Sequence, residues 1–336
     1  MKVIPLAADS LGVRSMATYV EAAETGILID PGATLAPSRF SLPPSAEEWD
    51  ALRRANDRIS AYAARASMIF VSHYHDDHFR SDAATYEGRA VLAKDPHRMV
   101  VGPQARRAAA LWAMLAAHAR PQVADGYERR EHALELRVSP PLPHGLEATT
   151  LGYVVALAIG DRAERERFVF ASDVQGPLSG VAAAWLIQQR PTLVYLAGPP
   201  SYIEREVGTA VIERGIDHLL RVIETTGCRV IMDHHAVREA AFGARFERLW
   251  STKRVVTAAE HLGLPITALE SQRRQLWTAV ARKPATGVRA PAAGAARATI
   301  GRPFKRSANG RDRPWRSNDK GRDRPWRSPD TGGRTS

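Results

Sequence analysis

Residues 68–78 read Met68-Ile69-Phe70-Val71-Ser72-His73-Tyr74-His75-Asp76-Asp77-His78. The apolar run Met68 to Val71 predicts a short buried strand, and the strand ends at Ser72-His73. The histidines and aspartates therefore fall on the loop past its carboxyl end, where binding and catalytic residues concentrate on a rigid scaffold. The cluster follows the pattern H-x-H-x-D-H, with His73, His75, Asp77 and His78 in the defined places. Imidazole and carboxylate are good zinc donors, and two short alternations let one loop serve two neighbouring ions. His73 and His75 can point to one metal, Asp77 and His78 to the other.

A binuclear centre needs further ligands, and the rest of the chain offers them at predicted strand boundaries. His144 follows Pro140-Pro141-Leu142-Pro143 and precedes Gly145, in a turn ahead of a predicted strand. Asp173 follows a predicted strand over 168–172, and His234 and His235 follow one over 229–232. Singly these residues say little, since an aspartate before a glycine is an ordinary turn former. Their joint order, a dense cluster and then His, Asp and His at successive strand boundaries, points to a metal site.

Around these positions β-type runs alternate with helical patterns, which argues for an α/β or α+β layered fold. Strands are expected over 3–6, 16–21, 26–30, 68–71, 90–93, 152–159, 168–172, 193–197 and 229–232. Helices are expected over 45–65, with Ser45 as N-cap ahead of Glu47 and Glu48, and over 103–119, 180–189, 209–226 and 237–250.

The net charge of +11 suggests nucleic acid until it is divided along the chain. Residues 281–336 hold 15 Lys plus Arg against 4 acids, and residues 1–280 hold 32 of each, so the body is neutral and the excess belongs to the tail. The tail is rich in Ala, Gly, Pro, Arg and Ser, a composition that predicts disorder. Within it the octapeptide GRDRPWRS occurs at Gly310–Ser317 and again at Gly321–Ser328, and Gly301–Ser307 is a looser copy. Arginines interleaved with Phe304, Trp315 and Trp326 are suited to phosphates and base stacking, so a nucleic acid is a candidate partner for this segment beside a plain solvated extension. The single cysteine, Cys228, excludes an internal disulfide. Without an apolar run of about 18 residues or a signal-peptide pattern, no membrane association is expected and cytoplasmic residence is.

The order H-x-H-x-D-H, His, Asp, His resembles the metallo-β-lactamase superfamily. The segments Ser10 to Met16, Ile27 to Gly32 and Ser72 to His78 further resemble a compact, uncharacterised branch of it. The similarity covers residues 1 to about 260 and implies a four-layer αβ/βα sandwich over a domain of residues 1–280, with the metals at one edge. It also implies that His73, His75 and His144 hold the first metal, that Asp77, His78 and His234 hold the second, and that Asp173 bridges them. His235 is an alternative to His234, which is favoured because it lies four residues before Arg238. Asp30 would tie loops beside the site. His75 in place of a carboxylate argues against the oxygen-reducing di-iron branch. The 61 positions between Asp173 and His234 leave no room for the inserted domain of the nucleases.

The expected activity is that of a hydrolase binding two Zn²⁺, with Mn²⁺ or Fe²⁺ as alternatives. The ions would share a water, lower its pKa toward ~7 and direct it at an ester or phosphodiester of a small-molecule substrate. Asp77 would orient that nucleophile, and the histidine of the 234–235 pair left free, His235, would donate a proton to the leaving group. Two other readings stand beside it: a nuclease or phosphodiesterase aided by the basic tail, and a non-enzymatic nucleic-acid-binding protein stabilised by metal. The substrate and the oligomeric state have no signature in the sequence.

Overall fold

In the computed structural model, which describes residues 1–282, the strands form two large mixed sheets and one two-stranded pair. The expected disordered tail, with its repeats and its role toward nucleic acid, lies outside the described residues. The first sheet runs in chain order through Lys2–Pro5, Thr18–Ala22, Thr25–Ile29, Met68–Val71, Ala90–Ala93 and Arg120–Val123. Its first three strands are antiparallel, and from Thr25–Ile29 onward the pairing is parallel. The second sheet places, from one edge to the other, Val255–Val256, Arg229–Asp233, Leu193–Ala197, Glu166–Ala171, Leu157–Asp161, Leu134–Val138 and Glu128–Glu131.

Alternation along Met68–Val71 shows how the layers form. Met68 and Phe70 join Ile27, Ile29, Leu136, Leu157, Phe168 and Phe170 in a core between the two sheets. Ile69 and Val71 face the other way, onto Ala51, Ala55 and Ile59 of helix Ala46–Ala63 and Leu111 and Leu115 of helix Gly102–His118. A strand buried on both faces has to be apolar throughout, as this one is. The second sheet is covered likewise by helices Gly180–Gln189 and Thr209–Thr226, through Ala182, Leu186, Ile212, Ile216 and Leu219. Helix, sheet, sheet and helix make the four-layer αβ/βα sandwich of the metallo-β-lactamase type. Helix Ala46–Ala63 begins with the expected cap, Ser45 and Glu48 forming a reciprocal capping box.

Several elements depart from the sequence expectation. The single strand expected over 152–159 is broken into Tyr153–Val154 and Leu157–Asp161, because the Val155 amide donates to the Ser72 carbonyl at 3.1 Å instead of continuing a ladder. The break pins the segment to the loop that carries the histidines. The helix expected over 237–250 is a 3-10 turn, His234–Arg238, followed by two single turns, Phe242–Arg245 and Glu247–Trp250. Glu239 is extended, at φ −111° and ψ 137°, while Arg238 before it is buried against Asp9, so the backbone leaves the helical path there. Strand Glu128–Glu131, all charged and exposed, has no apolar pattern that predicts it, and helix Arg273–Arg282, with Leu276, Trp277 and Val280 at helical spacing, is a further helix beyond those expected.

Candidate metal centre

Every candidate ligand lies at the same edge of the two sheets, at or just past a strand end. In the 72–78 loop the His78 amide donates to the His75 carbonyl at 3.0 Å, a tight turn that sends His73, His75 and His78 to one side. Gly32 allows this loop to approach: a Cβ there would sit 2.4 Å from the Phe79 nitrogen and 2.5 Å from the His78 nitrogen. Asp30, two residues earlier, is fully buried and gathers four donors. Its Oδ1 accepts from the Ser72 amide at 2.7 Å, and its Oδ2 accepts from the Ser72 hydroxyl at 2.5 Å, His78 Nδ1 at 2.9 Å and the Ser172 hydroxyl at 3.1 Å. Since Ser172 belongs to the second sheet's side, one carboxylate ties both halves together beneath the site.

His144 follows the short strand Leu142–Pro143, and its amide donates to the Gly152 carbonyl at 3.1 Å. Asp173 follows strand Glu166–Ala171 by two residues, and His234 follows Arg229–Asp233 directly, at φ +60°. Asp173 is central. Its Oδ2 lies 3.0 Å from His144 Nε2, 3.5 Å from His73 Nε2, 3.5 Å from His78 Nε2 and 3.9 Å from His75 Nδ1. Its Oδ1 lies 3.5 Å from His234 Nε2. Asp77 reaches His78 Nε2 at 3.8 Å and His234 Nε2 at 3.6 Å. The donor atoms fall into a group of His73, His75, His144 and Asp173 and a group of Asp77, His78 and His234. His235 forms a further group with Asp173 and His234, its Nε2 3.9 Å from Asp173. Thus the structure brings together all eight residues singled out in the sequence.

Two further contributors, Asp9 and Gln104, have no signature in the sequence, and Arg238, which marks His234 there, takes a direct part in the site. Asp9 accepts from His234 Nδ1 at 2.7 Å and from Arg238 Nε at 2.8 Å, which turns His234 Nε2 toward Asp77 and Asp173. Arg238 also places Nη2 3.5 Å from Asp77, and Gln104, at the start of helix Gly102–His118, sets its Nε2 3.2 Å from His75 Nε2. Partners of this kind fix which ring nitrogen faces a metal. Asp9 is 225 residues from His234, and nothing in its own neighbourhood marks it.

The electrostatics suit cations. Burial lowers the pKa of His73, His144 and His235 and keeps these imidazoles neutral, the form that ligates. Burial also opposes charge on His78, but Asp173, Asp77 and Asp30 outweigh it and push its pKa up to about 9. For Asp77, burial is overcome by His78, His234 and Arg238, which hold the carboxyl well below the usual range. Asp173 Oδ1, His78 Nε2 and His144 Nδ1 are buried without a hydrogen-bond partner. Orphaned buried donors and acceptors are costly, and a cation between Asp173 Oδ1 and His78 Nε2 would satisfy both. The donor set therefore fits divalent metal.

No protein-family model matches the chain. In fold it is similar to an isothiocyanate hydrolase from Delia radicum gut bacteria, at 16% identity and a TM-score of 0.48, over 76% of this chain and 96% of that one. It is also similar to Tm1679, described as a metal-dependent hydrolase of the beta-lactamase superfamily, at 12% identity and a TM-score of 0.46, over 76% and 96%. Likenesses this loose add nothing to the layer order above, on which the fold assignment rests. In sequence it is 35% identical over 290 residues to a UPF0282 protein of Pyrococcus horikoshii, covering 82% of this chain and 92% of that protein. It is 38% identical over 294 residues to one of Thermococcus gammatolerans, covering 82% and 95%, and 37% identical over 294 residues to one of Methanopyrus kandleri, covering 82% and 99%. Identity of this extent, spanning nearly the whole length of each relative, makes the chain a member of the UPF0282 family.

Proposed function

We propose that the protein is a metal-dependent hydrolase that binds two divalent ions, zinc foremost, and cleaves an ester or phosphodiester. The observation that carries this reading is the convergence on one carboxylate, Asp173, of His73 and His144 from one donor group and His78 and His234 from the other. His73, His75 and His144 would hold one ion, Asp77, His78 and His234 the other, with Asp173 between them. When bound, such a pair supplies Lewis-acid polarisation of a carbonyl or phosphoryl oxygen and activates water near neutral pH.

The chain's own residues set the geometry. Asp9 fixes the tautomer of His234, and Gln104 orients His75. Asp77, held as a carboxylate by His78, His234 and Arg238, is available to accept a hydrogen bond from the attacking water and orient it. His235 has no partner at Nδ1, and with the seven other candidates assigned to the ions it is the neutral imidazole left to accept a proton from the attacking water and pass it to the leaving group. The absence of thiolates among the donors favours catalysis over a closed structural site.

The test is elemental analysis of the purified protein together with turnover of chromogenic esters, lactones, thioesters and phosphodiesters before and after chelation. About two zinc ions per chain and chelator-sensitive turnover are expected. A metal-free protein that hydrolyses none of these with zinc or manganese restored would refute the reading.

A further inference from the structure

Strained backbone and stacked cations border the metal centre. Residues 36–43 contain a two-residue hairpin in which Arg39 and Leu42 exchange both backbone hydrogen bonds, at 3.0 Å each. The tip residues Phe40 and Ser41 have φ of 55° and 62°. Tips with positive φ at both positions normally carry Asn-Gly, because residues with larger side chains are strained there.

The hairpin is held from the other end of the domain. Arg273, fully buried and paired with Glu48 at 2.7 Å, donates to the carbonyls of Leu42 and Ala36 at 3.0 Å each. Trp277 Nε1 donates to the Pro43 carbonyl at 2.9 Å, and the Arg274 guanidinium lies 4.4 Å from the Phe40 ring centre.

What this construction presents is Arg39. Its guanidinium lies 4.7 Å from the Phe40 ring centre and 5.3 Å from that of Tyr202, so two aromatic rings pack against it. Nη2 donates to the Arg238 carbonyl at 3.2 Å, while Nε has no hydrogen-bond partner. The nearest carboxylate, Glu270 at 3.9 Å, is already engaged through both oxygens by Arg14 at 2.6 Å.

Arg39 lines a cleft of about 740 Å³, together with Phe40, Ser201, Tyr202, Arg205 and Thr209. That volume suits a small organic ligand. Ser201 is 4% exposed, yet its hydroxyl has no partner. Of the cleft's acids, Glu204 is committed to Arg245 at 2.7 and 3.1 Å, Glu206 is exposed and Glu239 is half-buried. Tyr202 joins the cleft to the metal centre, its ring 6.2 Å from that of His235.

We propose that this cleft receives the non-reacting portion of the substrate, and that this portion carries an oxyanion, a carboxylate or a phosphate monoester, docked on Arg39 beside the Ser201 hydroxyl. Naming the occupant a substrate rests on the hydrolase reading, whereas the anion rests on the cleft alone. A guanidinium packed against two rings and tied by Nη2 to the Arg238 carbonyl keeps its fork pre-oriented for such a group.

The experiment is calorimetric titration of the full chain with benzoate and with phenyl phosphate, using benzyl alcohol as the neutral control. The wild type binds at least one anion and not the alcohol, and the preferred anion names the class. Arg39→Gln weakens that binding about tenfold or more with an unchanged melting temperature, and Arg39→Lys, which keeps the charge but not the fork, falls between. His75→Ala keeps the anion affinity while losing metal, so a failure of the hydrolase reading leaves this result intact. No saturable binding, equal affinity in Arg39→Gln, or a loss in His75→Ala as large as that in Arg39→Gln each overturns the proposal.

Discussion

The first sheet delivers His73, His75, Asp77 and His78 on one loop past strand Met68–Val71, whereas the second half delivers His144, Asp173 and His234 singly, from three separate strand ends. Candidate ligands on one loop are oriented by a local turn, here the bond from the His78 amide to the His75 carbonyl. Dispersed candidates are oriented by the packed sheet beneath them and by partners distant in sequence, as Asp9 orients His234. The site is therefore half local and half tertiary, and Asp30, bonded to Ser72 and Ser172 at once, couples the two.

The sharpest way to break this contrast is to delete the dispersed ligands one at a time and count metal per chain. Asp173→Ala is expected to cost both ions and all turnover, because its carboxylate lies 3.0 Å from His144 and 3.5 Å from His73 on one side and 3.5 Å from each of His78 and His234 on the other. His144→Ala and His234→Ala are expected to cost one ion each. Retention of two ions in Asp173→Ala would show that the local loop suffices alone. A smaller effect is expected from cutting the tie between the halves. Asp30→Ala leaves the buried Ser72 amide unpaired and removes the carboxylate that Ser72, His78 and Ser172 share, and should destabilise the fold by about 3 to 5 kcal/mol in denaturant unfolding. A cost below about 1 kcal/mol would mean that the halves dock without it.

The smallest effect is expected at the end of the second sheet remote from the metals, where charges are paired and partly exposed. Burial works against ionisation of Glu135, but Arg167 and Arg130 outweigh it and hold its pKa below the ordinary carboxylate value. A depressed folded pKa contributes stability that is present above about pH 4.5 and lost as pH falls through the folded value. Glu135→Gln should therefore cost less than about 1 kcal/mol at neutral pH, with the two stability curves converging in acid. A pH-independent gap between them would sink the assignment.

The same division decides what could be read in the sequence. His73, His75, Asp77 and His78 announce themselves because their spacing within one loop is itself the signal. Asp173 and His234 are legible by a weaker route, as polar residues directly after β-rich runs. Asp9 and Gln104 are not legible, since each meets its histidine only after the chain has folded, 225 and 29 residues away. Residues 237–250 misled because Phe246 and Leu249 do face the core at helical spacing, while Arg238, drawn inward by Asp9, breaks the backbone path. Strand Glu128–Glu131 has no apolar face to show, being an exposed edge held by cross-strand pairs such as Arg130 with Glu135.

The Arg273 clamp adds a matter of timing. Its guanidinium and the Leu42 carbonyl that it holds are 231 residues apart. At a ribosomal pace of about 5 to 20 residues per second, the hairpin waits on the order of ten to fifty seconds for its partner to be made. Every candidate metal donor, and Arg39 with its neighbours in the cleft, has been synthesised before then, so the clamp that fixes the hairpin is the last of these parts that translation supplies.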